Sequence, residues 1–268
     1  MIRNRSLTAL GVAAVALGLT AAAGPAFAAA PAAKAGASFN PGGLFRPAAG
    51  AHPNAARAAA GKTVLDYSTN WPGYAVTGAA FTSASATWVQ NAATCSSSGG
   101  ETDMSPWVGL DGFSDSTVEQ IGTSADCSGS SVDYYAWYEM YPANYVTINK
   151  TIKKGDSFTG TVTHTSGTTY KLTLVNNTEG WTYSVSKSLS AGNSSAEAVM
   201  EQAGDHLTKW TGTDPFTSFT VNGSPAGSFT GSQYTIYQME IQNGSTLCDS
   251  DSALSGNENF TTTWLNAC

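Results

Sequence analysis

Histidine is scarce in this chain: three in 268 residues. A Ser-His-Asp or Cys-His nucleophile needs a well-placed imidazole. His52 lies near the N-terminus, His164 in a strand-like pattern and His206 in a polar loop, none beside a nucleophile signature. His164 and His206 read as ordinary surface or edge residues. No duplicated Asp-Thr-Gly or Asp-Ser-Gly motif occurs, so two aspartates sharing one proton are not indicated either. Basic residues are few and unevenly spread. Six Lys and Arg lie in the first 62 residues, where there is no Asp or Glu. Residues 63–268 hold six basic and nineteen acidic residues, a net of −13. A body this acidic argues against nucleic-acid binding, which relies on Lys and Arg. It fits work at low pH, where carboxylates protonate and self-repulsion falls. With so few ion pairs possible, little stability is lost when they do.

Only four cysteines are present, with no C-x-x-C and no histidine cluster beside them, which argues against zinc. In an exported chain they suggest two disulfides. Of the three possible pairings, Cys95–Cys127 and Cys248–Cys268 are favoured because each flanks a local segment. Residues 1–28 have the layout of a secretory signal: Arg3 and Arg5, an apolar run from about Leu7, and Ala26-Phe27-Ala28 as an A-x-A cleavage site. That run is too short and too rich in Ala and Gly for a membrane span. No later segment is a candidate span, so a secreted protein with no membrane attachment after signal removal is expected. Residues 29–62 are rich in Ala, Pro and Gly without periodicity and read as a disordered leader or pro-segment. Two readings of that leader stand: a basic cover for an acidic groove, or a low-complexity linker.

Helix signals are scarce as well. Short runs of β-branched and aromatic residues recur through 63–268, separated by Gly, Asn, Asp and Ser. Strands are expected over 70–76, 81–90, 146–152, 157–164, 170–176, 181–189, 217–221, 234–242 and 259–265. Asn91–Met104 reads as a polar loop. Ser194–Gln202 is ambiguous between strand and helix. About a dozen short strands indicate one all-β sandwich or barrel, with no internal repeat.

The chain is organised around 107–142. This stretch reads Trp107-Val108-Gly109-Leu110-Asp111-Gly112, then Val118-Glu119-Gln120-Ile121-Gly122, then Tyr134 to Pro142. Residues two apart on a strand share a face. Tyr135, Trp137, Glu139 and Tyr141 therefore lie together, as do Trp107, Gly109 and Asp111. An aromatic surface carrying carboxylates and an amide suggests a binding groove with chemistry at its floor.

These segments resemble the glutamic peptidases, the eqolisin family. The carrying pieces are Asn70-Trp71-Pro72-Gly73-Tyr74, Trp107 to Gly112, Glu119-Gln120-Ile121-Gly122, Ala136 to Pro142, Lys154-Gly155-Asp156 and Ala196-Glu197-Ala198-Val199-Met200-Glu201, in that order. The resemblance spans about 70–219, and the Ala-rich leader is of a bacterial style. It implies an antiparallel β-sandwich of two curved sheets, of lectin-like jelly-roll type, with a concave substrate face. It also implies a catalytic pair, here Gln120 and Glu201, acting on protein or peptide substrates in acid, insensitive to pepstatin, without cofactor or metal. Trp107, Asp111, Trp137, Glu139 and Tyr141 map to substrate-groove positions, and the shared strand face adds Tyr135 to them. Nothing demands more than a monomer. Two departures stand out. Tyr135 occupies a position where fungal members carry Asp, with Asp133 two residues upstream on the same face. Met140 replaces the usual Trp and by parity points away from the groove. Two rival readings remain at this stage: a carbohydrate-binding module or glycosidase using Asp111 and Glu139, and an inactive binding relative.

Overall fold

A computed structural model describes residues 62–268 apart from Gly99 and Asp205. The expected signal (1–28) and nearly all of the expected leader (29–62) lie outside the described residues. Seventeen strands follow in chain order: β1 (Thr63–Ser68), β2 (Gly73–Thr77), β3 (Ser83–Val89), β4 (Thr102–Leu110), β5 (Val118–Ser128), β6 (Ser131–Tyr141), β7 (Val146–Ile148), β8 (Ser157–Ser166), β9 (Thr169–Asn176), β10 (Trp181–Ser188), β11 (Ser195–Glu201), β12 (Thr213–Val221), β13 (Ser224–Pro225), β14 (Thr235–Asn243), β15 (Thr246–Leu247), β16 (Asp249–Asp251) and β17 (Phe260–Trp264). The one helical element described is a 3-10 turn, Ala226–Ser228.

The strands form two sheets. The first runs β1-β14-β2-β11-β4-β5-β6-β7, with β15 on β14. The second runs β10-β9-β8-β3-β12-β17-β16, with β13 on β12. Pairing is antiparallel throughout except between β1 and β14, which run parallel. The sheets face each other across an apolar core. Val108, Leu110, Ile121, Tyr138, Ala198 and Met200 of the first meet Trp88, Phe158, Val162, Leu172 and Phe216 of the second. The Trp88 indole N–H donates to Thr123 Oγ1 at 2.9 Å across the layers. A second apolar cluster lies on the other face of the first sheet, around Trp71, Trp107, Trp137, Val199 and Tyr237.

The expected strands are present, and Ser194–Gln202 resolves as the strand β11. All seven of its residues are buried, and its Ala, Glu and Met are good helix formers, which is why the sequence alone left it ambiguous. Two boundaries differ from expectation. β4 begins at Thr102, inside the stretch read as loop. β1, directly after the leader, was not anticipated: its pairing partner lies some 170 residues away, and local pattern carries no trace of it. Both favoured disulfides form. Cys95–Cys127 (Cα–Cα 5.4 Å) ties the loop before β4 to β5, and Cys248–Cys268 (5.8 Å) pins the tail. Trp264 packs on the core under Lys209, whose ammonium lies 5.1 Å from the ring centre.

Candidate active site

Strand register assembles the outer face of the first sheet. One cross-strand row reads Tyr237, Ala75, Glu197, Gly109, Gln120, Glu139. The next reads Met239, Gly73, Val199, Trp107, Gly122, Trp137. Glu201 lies one step further along, opposite Ser105. Two glycines make this surface possible. A Cβ on Gly109 would meet Trp107 Cζ3 at 2.9 Å and Gln120 Cβ at 3.2 Å, and one on Gly122 would meet Trp107 Cβ at 2.6 Å and Trp137 Cζ2 at 3.0 Å. The bare positions let both indoles lie down on the sheet.

Trp107 links the expected pair. Its indole N–H donates to Glu201 Oε2 at 2.9 Å. The far edge of the same ring lies over Gly109, beside Gln120. Trp71 meets it edge-on, with ring centres 4.8 Å apart. The second Glu201 oxygen, Oε1, accepts from the Asn70 amide at 3.4 Å. The Gln120 amide donates to Glu139 Oε2 at 2.7 Å, which fixes its orientation. Burial pushes the Glu139 carboxyl up to about 8, against the opposing effects of the Gln120 amide and the Tyr145 N–H. Glu139 is therefore neutral in acid. Trp137 donates to Ser124 Oγ at 2.8 Å, and Ser124 meets Ser105 Oγ at 2.7 Å.

The remaining expected residues have distinct settings. Asp111 closes a turn at φ 66° ahead of Gly112 at φ 94°. Its oxygens accept the N–H groups of Asn193 (2.8 Å) and Ser194, so it anchors the segment leading into β11. Burial raises its pKa, with the Ser194 N–H opposing and Asp115 adding. Tyr141 is half-buried against the outer aromatic cluster. Tyr135 stacks on Tyr145 with centres 6.0 Å apart. Its phenol is raised, first by burial and then by Asp126. Asp126 is on the Gln120 side of β5, paired with Asp133 in register. Burial and then Asp103 push it up to about 8. Met140 joins the inter-sheet core, as parity indicates.

Sequence reasoning missed several members of this surface. Asp126 and Ser124 share parity with Gln120 and were findable that way. Asn70 was noted only as part of a motif, and its contact with Glu201 comes from a chain reversal no pattern reveals. Glu119 was also only a motif letter. Its row is Ala196, Leu110, Glu119, Met140, so it faces the core. Neither of its oxygens has a hydrogen-bond partner. Burial, then Asp111, pushes it up to about 9. The two histidines described are elsewhere: His164 leans on Tyr170, and His206 Nδ1 donates to the Cys268 carbonyl. Among the described residues no group of three or more His, Cys, Asp and Glu side chains is arranged to hold a metal ion.

The chain is similar to known proteins. Residues 69–264 match the model of the Peptidase A4 family. The chain belongs to that family. It is 36% identical over 171 residues to scytalidopepsin B of Scytalidium lignicola, covering 60% of this chain and 61% of that protein. It is 29% identical over 217 residues to aspergillopepsin-2 of Aspergillus niger, covering 70% and 76%. Among solved structures, scytalido-glutamic peptidase with a transition-state analog inhibitor superposes with TM-score 0.62 at 24% identity, over 74% of this chain and 98% of that one. Aspergilloglutamic peptidase from A. niger gives 0.50 at 27%, over 61% and 99%. A Peptidase A4 assignment makes the chain a glutamic-peptidase family member on an eqolisin sandwich. It leaves the sugar-binding and glycosidase readings without support.

Proposed function

We propose that this Peptidase A4 protein is a secreted, acid-active endopeptidase in which Glu201 and Gln120 cleave peptide bonds of protein substrates. The observation that carries this is the pairing of two held groups on one sheet face: a carboxyl fixed by Trp107 and a carboxamide fixed by Glu139. Glu201 takes a proton from water as the water attacks the carbonyl carbon, then returns it to the leaving amine. The Trp107 N–H stabilises the ionised form that begins the cycle. Gln120 donates to the oxygen on which negative charge develops, and a donor so placed is worth ~3–4 kcal/mol of barrier. Neither role needs a histidine, which agrees with the scarcity of that residue. Tyr135, Trp137, Tyr141 and Asp111 border the same face and form the groove for an extended peptide.

In the same reading residues 1–28 are removed on export, 29–62 form a leader, and 63–268 act as a monomer outside the cell. The net of −13 on that body suits a low-pH medium. Casein hydrolysis by the secreted body from pH 2 to 7, with pepstatin present throughout, tests the proposal. Acid activity that resists pepstatin and vanishes in Glu201→Gln supports it. Polysaccharide cleavage without proteolysis contradicts it.

A further inference from the structure

We infer that Asn70, locked by Ser68, is a positioning residue that orients the Glu201 carboxyl and favours its ionised form; this rests on the reading of Glu201 as the general base. Between β1 and β2 the chain turns sharply. Ser68 Oγ accepts the N–H groups of Asn70 (3.2 Å) and Trp71 (3.0 Å), a turn that Ser favours. The same hydroxyl donates to Asn70 Oδ1 at 3.1 Å. A carboxamide has one accepting and one donating end. With its oxygen bound by Ser68, the NH2 end of Asn70 is the end presented to Glu201 Oε1, at 3.4 Å. The reverse orientation would set two oxygens against each other. All three side chains are buried: Ser68 is 2% exposed, Asn70 9% and Glu201 0%.

The backbone holds this segment in place on both sides of Glu201. The Met200 N–H donates to the Pro72 carbonyl and the Gln202 N–H to the Asn70 carbonyl, each at 2.9 Å. Asn70 thus cannot move without β11. Trp107 donates to Oε2 and Asn70 to Oε1, so each carboxyl oxygen receives an N–H. A hydrogen bond to the charged form lowers a carboxyl pKa. Asn70 therefore keeps Glu201 ionised further into acid than burial alone would allow. Among the described contacts, Asn70 and Ser68 from the turn and Trp107 from β4 face Glu201 of β11. Glu139 lies two rows away, in the row of Gln120 and Glu197, with the Trp107 row between.

The test is the pH profile of kcat/KM on one peptide substrate for the wild type, Asn70→Ala, Asn70→Asp and Glu201→Gln. In Asn70→Ala the acid limb is expected to move up by about half to one pH unit, and kcat to fall about tenfold with KM little changed, the size of a long bond to a charged group. In Asn70→Asp activity survives at the lowest pH, where the introduced carboxyl is protonated and can still donate. It is lost as that carboxyl ionises, which burial and the neighbouring Glu201 move above the free-carboxyl range. A purely structural residue would lower activity equally at every pH. If Asn70→Ala fails to fold, Asn70→Asp carries the test, with Ser68→Ala expected to move the acid limb the same way by less. An unmoved acid limb in folded Asn70→Ala, or an Asn70→Asp profile shaped like the wild type, overturns the inference. Glu201→Gln that remains active overturns the underlying reading instead.

Discussion

Glu197 is wholly buried. It shares the outer face of β11 with Val199 and Glu201, opposite the bare Gly109. Desolvation holds its pKa well above the usual range, with the Ser195 hydroxyl opposing and Asp111 adding. The sign follows from linkage. In the unfolded chain this group ionises near pH 4, while in the folded protein it keeps its proton. Its contribution is complete at low pH and is lost as pH rises. Replacing it by the neutral isostere removes that dependence. The melting temperature of Glu197→Gln minus that of the wild type should therefore rise between pH 3 and pH 7, by roughly 5 °C. A difference independent of pH would show that the carboxyl is not buried in its neutral form. Glu139 gives a companion prediction. Its role is to accept from the Gln120 amide, which a neutral carbonyl can do. Glu139→Gln should keep most acid activity. Glu139→Ala, which leaves the amide without that acceptor, should lower kcat about tenfold at unchanged fold.

At the scale of the elements, the outer face is shaped by what β4 and β5 omit. Gly109 and Gly122 are strand residues with no side chain to pack, a cost normally avoided in sheets. Here they seat the indoles of Trp107 and Trp137. A methyl group on Gly122 would also lie 2.6 Å from the Pro106 carbonyl oxygen, which cannot swing aside. Gly122→Ala should destabilise by about 1–3 kcal/mol and displace Trp107, lowering activity more than stability alone explains. Thermal unfolding and near-UV circular dichroism check this directly. The strand alternation that gathers Trp137, Glu139 and Tyr141 was legible in the sequence, because period two needs only neighbouring residues. Gln120 and Glu201 were singled out by the order of short motifs, and register places both on the outer face. The β1 strand and the Asn70 contact were not, because both arise from pairings between distant segments. β11 was undecided because its Ala, Glu and Met residues are good helix formers. The core-facing Glu119 was hidden for another reason: among mostly apolar core neighbours it breaks the pattern that would assign its side.

For the whole molecule, acid is the state of least electrostatic cost. Glu119 is held up to about 9, and Asp126, Glu139 and Asp251 to about 8, in every case first by burial. The one described salt bridge, Lys153–Glu179, is exposed and carries little of the fold. The ordinary acid penalty, protonating paired carboxylates, is therefore nearly absent. The opposite penalty applies: above pH 4 the unfolded chain releases protons that the folded chain retains, so stability falls between about pH 4 and pH 9. The outer surface of the second sheet adds hydroxyl pairs that do not titrate, such as Ser85 with Thr161 (2.8 Å) and Thr87 with Thr159 (2.7 Å). The melting temperature should be highest near pH 3–4 and lower by at least roughly 10 °C at pH 8. A maximum at neutral pH would contradict this distribution of buried carboxyls.

The most direct measurement is kcat/KM on a single peptide substrate at the acid optimum for the wild type, Glu201→Gln and Gln120→Ala, each shown to be folded. A general base and an oxyanion donor lose by different amounts. Glu201→Gln should fall by about 10⁴-fold or more, and Gln120→Ala by about 10²–10³-fold with little change in KM. A Glu201→Gln enzyme within about tenfold of the wild type would contradict the dyad and send the search for the base to another carboxyl on the same face.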